Sequence, residues 1–278
     1  MAGKLYVVGT PIGNLGDMTY RAVETLSKVD FIAAEDTRVT QKLLSHFDIK
    51  KPLLSYHEHN RKQVGGGIVS LLLGGESCAV VTDAGMPCIS DPGEDLVRLC
   101  AENGIPTEVV PGPSAAIAAL AVSGLDTSKF VFEGFLSTSP SSRKDALEAV
   151  RNEERTLIFY EAPHKLEQTL SDLLKYLGDR KISICRELTK IHEEIIRTTL
   201  SEAVGIYGDE NKPRGEYVLI VEGQKGERPA AEDIGEALEK VETLISKGMR
   251  GADACREIAK LSGFTKSELY SALLGRKG

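Results

Sequence analysis

The first 125 residues alternate short apolar runs with amphipathic stretches, and this alternation is the feature that most constrains the fold. The apolar runs, which predict buried strands, occupy positions 5–8, 31–34, 53–56, 79–82 and 108–110. The amphipathic stretches, which predict helices, occupy positions 19–27, 42–47, 69–73, 95–103 and 114–122. Because strands that alternate with helices form right-handed βαβ units, this part of the chain is predicted to contain a largely parallel sheet.

The following stretch, 126–226, has a different order of elements and predicts a second α/β domain with a mixed sheet. Its strand candidates lie at 130–132, 156–160, 182–185, 195–199 and 217–221. One helix is predicted over 165–177, ending at Gly178, a residue type that favours helix termination. The last three strand candidates leave little room for helices between them. Residues 137–142 are rich in turn-forming residues and predict a flexible loop.

Charge separates the end of the chain from the rest. Residues 222–242 carry a net charge of −4, whereas residues 243–278 carry +4. Two helix-like segments, 254–261 and 266–274, flank a Gly-containing turn, which is the helix-turn-helix pattern. This leaves two interpretations of the tail: a small helical cap or dimer element, or a nucleic-acid-binding module, which the basic excess favours. Three parts are therefore predicted: 1–125, 126–226 and a helical tail over 227–278.

Composition excludes several classes of protein. Hydrophobic residues make up 41% of the chain, which is too many for a disordered protein. The longest apolar stretch, 115–122, is far shorter than the roughly 20 residues of a membrane span. We therefore expect no association with a membrane. The five cysteines are scattered without a C-x-x-C pair, so we expect reduced thiols, no metal site and a cytoplasmic location. The overall net charge of −7 argues against a generally basic nucleic-acid-binding surface.

A glycine-rich loop, 9–16, directly follows the first predicted strand. Glycines at the end of a strand let the backbone approach a ligand closely. Their spacing is not G-x-G-x-x-G, and no Lys-Ser or Lys-Thr follows, so the loop is not a P-loop. However, Glu35 and Asp36 follow the second strand where the ribose-binding acid of a dinucleotide site would lie. A dinucleotide-dependent oxidoreductase therefore stays open as an alternative.

Two more loops concentrate glycine, proline and polar residues at predicted strand ends. Residues 82–93 contain two Asp, two Gly and two Pro, a composition that suits a rigid small-ligand site. Alternatively, Asp91 or Asp95 in this region caps the next helix. Residues 110–116 enter an Ala-rich helix, with Ser114 as a candidate N-cap. Because ligands bind at the carboxyl ends of parallel strands, all three loops are candidates for one site.

The ordered set of motifs resembles the tetrapyrrole methylase superfamily of S-adenosylmethionine-dependent enzymes. It comprises the three loops, Glu-Asp-Thr-Arg at 35–38, His-Glu-His-Asn at 57–60, and the second-half motifs at 132–136, 160–165, 186–190 and 214–218. Within the superfamily the set is similar to the branch that methylates a cytidine ribose 2′-oxygen of small-subunit ribosomal RNA. Met86 stands where that branch usually carries Thr. The resemblance implies a two-domain α/β fold, a parallel-sheet domain followed by a mixed-sheet domain, with a small helical tail.

The resemblance also implies where the cofactor binds. S-adenosylmethionine would lie in the cleft between the two domains of a protein that is usually a homodimer. The first domain would contribute Pro11, Ile12, Asp83, Met86, Ile89, Ser114 and Ala115. The second domain would contribute Tyr160, Glu161, Leu188, Gly215 and Glu216.

Methylation of a ribose hydroxyl benefits from a group that withdraws its proton. His57 and Asp36 are the candidate bases, and Arg38 and Arg61 are candidates to hold the RNA backbone. A structural ion pair of Arg38 with Glu35 or Asp36 is an alternative for that arginine. Two further hypotheses for the whole chain are a methylase of a tetrapyrrole or of a translation-factor residue, and a non-catalytic nucleic-acid adaptor. The sequence leaves open whether the substrate is free RNA or an assembled small subunit, and which surface forms a dimer.

Overall fold

A computed structural model gives the fold and describes residues 3–208, 213–225, 233–262 and 264–276. The chain divides into two compact units, 1–223 and 224–278. The first unit contains two five-stranded sheets, and the second is helical. No helix within the described ranges is long and apolar enough to cross a membrane.

The first sheet is parallel throughout, as predicted, with strand order β3-β2-β4-β1-β5. Its strands are β1 (Leu5–Val8), β2 (Phe31–Ala34), β3 (Leu53–Ser55), β4 (Cys78–Val81) and β5 (Thr107–Val110). The helices of this part are α1 (Tyr20–Lys28), α2 (Thr37–His46), α3 (Arg61–Leu73), α4 (Glu94–Glu102) and α5 (Ala115–Ser123).

Helices cover both faces of this sheet, which explains why its strands are almost uninterrupted apolar runs. Phe31 and Ala33 of β2 pack with α3 and α4 on one face. Ile32 and Ala34 pack with α1 and α2 on the other face. Because successive side chains of a strand point to opposite faces, a strand covered on both sides needs an apolar residue at every position.

The second sheet is mixed, with strand order β6-β7-β10-β8-β9. Its strands are β6 (Phe130–Phe135), β7 (Thr156–Glu161), β8 (Lys181–Arg186), β9 (Glu194–Thr199) and β10 (Tyr217–Val221). Only β6 and β7 pair in parallel among these strands; the other neighbours are antiparallel. The helices α6 (Pro140–Ala149), α7 (Leu166–Leu177) and α8 (Leu200–Tyr207) belong to this part. The two-domain α/β fold class predicted from the sequence is confirmed.

The apolar helix α5 joins the two sheets. It follows β5 of the first sheet, yet its residues Ala116, Ala119 and Leu120 pack on the second sheet against Ile158 and Ile220. The face of the second sheet that α5 covers lies opposite the main core formed with α7 and α8. The helix is almost entirely apolar, and only the side that faces the second sheet is buried; Ile117 and Val122 are exposed.

The structure corrects four predicted elements. Helix α2 begins at Thr37 rather than Lys42, because Asp36 caps it. Helix α3 begins at Arg61 rather than Val69 and contains three glycines in its interior. The predicted loop 137–142 is wrong in part, because Pro140 begins α6; proline is well tolerated in the first helical turn. Helix α8 lies between β9 and β10, where little room for a helix was expected.

Within its described residues, the second unit contains the helices α9 (Ile234–Ser246), α10 (Gly251–Leu261) and α11 (Lys266–Gly275). They pack around a small core that includes Leu238, Val241 and Leu269. Thr265 and Glu268 form a capping box that fixes the start of α11. Gly263 of the predicted turn and Lys277 of the basic excess lie outside the described residues, as does 226–232. The three-part division at 125 and 226 stays a prediction.

Candidate functional site

Three loops at the carboxyl ends of β1, β4 and β5 meet at one edge of the first sheet. The backbone N–H groups of Thr10 and Gly85 each donate to the other residue's carbonyl, at 2.9 and 3.1 Å. A Cβ atom on Gly9 would lie only 2.7 Å from Gly112 Cα, so the first and third loops can approach this closely only with glycine there. The N–H of Gly112 donates to Met86 Sδ at 3.3 Å, which ties in the second loop.

A cavity of about 560 Å³, here called the main cavity, lies between these loops and the second sheet. Ten of the twelve predicted cofactor residues line it: Ile12, Asp83, Met86, Ile89, Ser114, Ala115, Tyr160, Glu161, Leu188 and Glu216. Gly215, which precedes Glu216, is not part of its wall. Contact of these residues with a cofactor stays a prediction, but the fold does bring them to one place.

A smaller cavity of about 350 Å³, here called the second cavity, adjoins the main cavity. The two share the wall residues Ile12, Thr82, Asp83, Ala84 and Glu216. The second cavity is further lined by the start of the glycine-rich loop, by α2 and by Lys190. Pro11, the twelfth predicted cofactor residue, lines this cavity and not the main one.

Three carboxylates from the loops of the first sheet, Glu35, Asp83 and Asp91, line the main cavity in addition to Glu161 and Glu216. Thr82 Oγ1 donates to Glu35 Oε2 at 2.6 Å, and the N–H of Asp36 donates to Asp83 Oδ1 at 3.1 Å. Burial, reinforced by the charge of Glu35, raises the pKa of Asp91 to about 6. Burial also raises the pKa of Asp83. The cavity is therefore acidic, and a cation in it would be favoured.

The second sheet contributes a fixed aromatic and acidic wall to the main cavity. The N–H of Ala116 donates to the Tyr160 hydroxyl at 3.1 Å, and the Tyr160 ring lies 5.4 Å from that of Phe135. Glu161 is buried, with the N–H of Ala162 donating to Oε1 at 2.8 Å. The hydroxyl of Thr169 donates to the other carboxylate oxygen of Glu161.

This carboxylate is held by a chain of hydrogen bonds that leads away from the cavity. Arg143 Nη2 donates to Thr169 Oγ1 at 2.7 Å, and Arg143 Nε donates to Asp172 Oδ2 at 2.6 Å. Both oxygens of Glu161 thus have donors, one of them supported from behind by a guanidinium. A buried carboxylate needs such partners to remain in place.

A strained turn after β8 carries Leu188 to the main cavity. Glu187 and Thr189 have φ angles of 51° and 68°, in the left-handed region that residues other than glycine avoid. Lys190 Nζ donates to Glu187 Oε1 at 2.8 Å and to Glu216 Oε2 at 2.9 Å. A Cβ atom on Gly13 would lie 2.5 Å from Lys190 Cγ. The turn is therefore tied both to Glu216 and to the glycine-rich loop. Backbone strain of this kind is concentrated at functional sites.

The three predicted catalytic residues, His57, Asp36 and Arg38, line neither cavity. Asp36 caps α2 and forms an ion pair with Arg38, whose Nε and Nη2 donate to its carboxylate at 3.0 and 2.6 Å. This is the ion pair that the sequence offered as an alternative role for Arg38. The N–H of His57 donates to Asn60 Oδ1 at 2.9 Å. The catalytic roles of the three residues stay predictions.

Sequence reasoning missed several residues of the main cavity. Asp91 was considered as a helix cap, but Gly93 occupies the N-cap position of α4 and Asp91 faces the cavity. Glu35 was considered for a dinucleotide ribose and as an ion-pair partner. Phe135 and His164 carried no signal of their own, although both lie in or beside motifs used for the resemblance. Ser114 takes the N-cap position of α5, but its side chain makes no capping hydrogen bond.

Comparison with known proteins identifies the family. The sequence profile of the Tetrapyrrole (Corrin/Porphyrin) Methylases matches residues 4–204. Proteins named ribosomal RNA small subunit methyltransferase I from Halalkalibacterium halodurans and from Synechocystis sp. are each 48% identical over 273 residues. The alignments cover 97% and 98% of this chain, and 94% and 98% of the relatives.

Solved structures agree with the fold at much lower sequence identity. A diphthine synthase matches with a TM-score of 0.60 at 13% identity, covering 80% of this chain and 90% of its own. A uroporphyrin-III-C-methyltransferase from Thermus thermophilus matches with a TM-score of 0.57 at 20% identity, covering 79% of this chain and 94% of its own. The chain belongs to the tetrapyrrole methylase family, and it groups there with the relatives named ribosomal RNA small subunit methyltransferase I.

Proposed function

We propose that this protein transfers a methyl group from S-adenosylmethionine to the ribose 2′-oxygen of a cytidine in small-subunit ribosomal RNA. The observation that carries the proposal is the main cavity, which gathers ten residues predicted to hold this cofactor together with two further carboxylates, Glu35 and Asp91. The names of the nearly full-length relatives support small-subunit ribosomal RNA as the substrate. The specificity for a cytidine 2′-oxygen rests on the sequence motifs.

S-adenosylmethionine is the methyl donor of the family, and the residues of the main cavity suit it. Its volume of about 560 Å³ lies within the roughly 300–1,000 Å³ of small-ligand sites. Asp83, Asp91 and Glu35 suit a ligand that carries a positive charge, and Ile12 and Leu188 suit its apolar surface. When bound, the cofactor supplies a methyl group already activated by a sulfonium.

The chain's own residues then have three tasks: to align the acceptor, to exclude water and to receive a proton. Tyr160 and Glu161 help to align the acceptor, since hydrogen bonds hold both side chains in place in the cavity wall. We assign Asp91 as the base that accepts the proton of the ribose hydroxyl. It lines the main cavity, and its pKa of about 6 suits a base near neutral pH. Asp36 is a weaker base, because Arg38 lowers its pKa to about 2.

The direct test is nucleoside mass spectrometry of small-subunit RNA after incubation with the protein and S-adenosylmethionine. We expect 2′-O-methylcytidine; a methyl group on another nucleoside, or on the cytosine base, would contradict the proposal. Two isoleucines offer a matched control, because Ile89 and Ile117 are both 51% exposed but only Ile89 lines the main cavity. We expect Ile89→Trp to lose the product and Ile117→Trp to retain it.

Cofactor binding is tested separately by calorimetry with S-adenosylmethionine and with NAD. Binding of the former alone is expected, while binding of NAD alone would favour the oxidoreductase alternative. Parallel assays on free RNA and on assembled small subunits distinguish the two forms of the substrate. A homodimer and a cytoplasmic location are further parts of the proposal, and sedimentation of the purified protein tests the first.

A further inference from the structure

We infer that the second cavity receives the target nucleotide of the RNA, with its ribose directed towards the main cavity. The inference rests on the proposed function and adds the place at which the substrate binds. The second cavity is lined mainly by α2, by the glycine-rich loop and by Lys190.

Position is the first reason for this assignment. Direct methyl transfer requires acceptor and donor atoms to approach within about 3 Å. The second cavity shares Thr82, Asp83 and Ala84 with the main cavity, and Ile12 and Glu216 border both. A ligand in the second cavity therefore lies directly against a ligand in the main cavity.

The apolar wall of the second cavity is the second reason. Leu15, Val39 and Leu43 line it, and Leu15 and Val39 are 42% and 39% exposed. Exposed apolar side chains that converge on a concave surface indicate a binding site. The volume of about 350 Å³ is at the low end for ligand sites, which suits a single nucleotide better than a large macrocycle.

Two lysines supply the charge that a nucleotide requires. Lys42 is exposed on α2 at the cavity and is free to contact a phosphate. Lys190 has three N–H donors, two of which are directed to Glu187 and Glu216. Its third donor is therefore available to a ribose or phosphate oxygen. An apolar wall beside lysines matches a planar base attached to a sugar phosphate.

The shape of the site has a consequence for the RNA. A nucleotide enters a cavity of this size only when it is unstacked from its neighbours. We therefore expect the target to lie in a single-stranded or distorted region, and transfer to fall when it is paired in a continuous duplex.

A bulky substitution on α2 tests the inference. Val39→Trp places a bulky side chain at the wall of the second cavity, and Val39 does not line the main cavity. Val122→Trp is the matched control, because Val122 is also 39% exposed and lines neither cavity. The readouts are total methyl incorporation into small-subunit RNA and the Kd for S-adenosylmethionine, with thermal unfolding to confirm folding.

We expect Val39→Trp to lower kcat/KM for RNA by about tenfold or more, as misplacement of a substrate does, with an unchanged cofactor Kd. Lys42→Glu is the second variant and should raise the KM for RNA more than it lowers kcat. The inference is overturned if both variants retain kcat/KM, or if the cofactor Kd rises in parallel with the loss. Methyl incorporation is counted at any nucleoside of the RNA. If the methylated nucleoside is not a cytidine, the proposed function is contradicted, but the effect of the two variants on incorporation still tests the role of the second cavity. No incorporation by the unaltered protein would overturn both.

Discussion

Two aspartates in loops that follow strands of the first sheet have their pKa values moved in opposite directions. Asp91 lies against the main cavity, where burial raises its pKa to about 6. Asp36 lies outside the cavity, where hydrogen bonds from Arg38 lower its pKa to about 2. The same residue type is thus prepared to exchange a proton near neutral pH in one place and to remain charged in the other.

The first prediction concerns the pH dependence of activity. Methyl transfer by the unaltered protein should fall as the pH drops through about 6, because protonated Asp91 can no longer accept a proton. Asp91→Asn should lose this dependence and lower kcat by about 10²–10⁴-fold at pH 8, which is the usual contribution of a general base. The measurement is kcat against pH at saturating RNA.

His57→Ala and Asp36→Asn provide the comparison in the same assay. If either abolishes transfer while Asp91→Asn stays active, the proton does not go to Asp91. The sequence-based choice of His57 or Asp36 would then be supported instead.

The second prediction concerns stability. Because the pKa of Asp91 is higher in the folded chain than its usual value, the folded state favours the protonated carboxyl. Stability from this group is full at low pH and is lost as the pH rises through about 6. Asp91→Asn should therefore raise the free energy of unfolding at pH 8 by about 1 kcal/mol, allowing for solvent screening. Urea unfolding at pH 5 and pH 8 measures the difference; equal effects at both would contradict it.

At the scale of elements, the contact between β7 and α7 determines where Glu161 lies. Thr169 of α7 donates its hydroxyl to the Glu161 carboxylate at the end of β7, and Arg143 of α6 supports Thr169. Three elements thus position one carboxylate of the main cavity. The sequence marked Glu161 by resemblance, but nothing in the sequence indicated that Thr169 and Arg143, which lie on two other elements, hold its carboxylate.

The third prediction tests this arrangement with a pair of buried threonines. Thr169→Val removes the donor to Glu161 at nearly constant volume and should cost about 1–3 kcal/mol of stability. Thr156→Val is the control, since its hydroxyl donates to the carbonyl of Asp126 and lies away from the main cavity. Both variants should be destabilised, but only Thr169→Val should weaken S-adenosylmethionine binding by calorimetry. Equal cofactor affinity would mean that the hydrogen bond serves stability alone.

The elements that the sequence predicted well are those defined by local pattern. Strands β1, β2 and β4 are apolar at every position, so they were found with nearly correct bounds. Helix α3 was underestimated because Gly65, Gly66 and Gly67 disfavour helix locally, whereas packing of Ile68 and Leu72 on the sheet stabilises it. Tertiary contacts of this kind are invisible to a local pattern.

The same distinction applies to the site. Loops at the ends of parallel strands converge by a general rule, so Asp83 and Ser114 were predictable from their positions. Tyr160 and Leu188 reach the cavity through the order of the second sheet, which the sequence does not reveal, and only the resemblance indicated them. The position of Asp91 could not be predicted from the sequence, because whether it caps α4 or faces the main cavity depends on the conformation of one loop.

At the scale of the whole molecule, the net charge of −7 conceals two parts of opposite sign. Residues 243–278 carry +4, so the preceding 242 residues carry −11. An acidic body suits a cationic cofactor, while a basic tail suits a polyanion.

The fourth prediction follows from that separation of charge. Lys247→Ala with Arg250→Ala removes two exposed cations between α9 and α10. RNA binding should weaken, and its dependence on salt should decrease by about 0.7 in log–log slope for each phosphate of a single-stranded region that the tail no longer neutralises. Lys50→Ala with Lys175→Ala, which removes two exposed lysines from the first unit, is the control. A filter-binding series over salt concentration measures both; identical slopes in all proteins would assign the tail a structural role.

The position of α5 beneath the second sheet has a consequence for the order in which the chain can fold during synthesis. Helix α5 is complete at Ser123, but its apolar surface packs on Val218 and Ile220 of β10, almost a hundred residues later. Strand β10 also lies at the centre of the second sheet, between β7 and β8. A nascent chain therefore exposes part of the apolar surface of α5 until β10 has left the ribosome. This interval is when the protein is most open to aggregation and most in need of a chaperone.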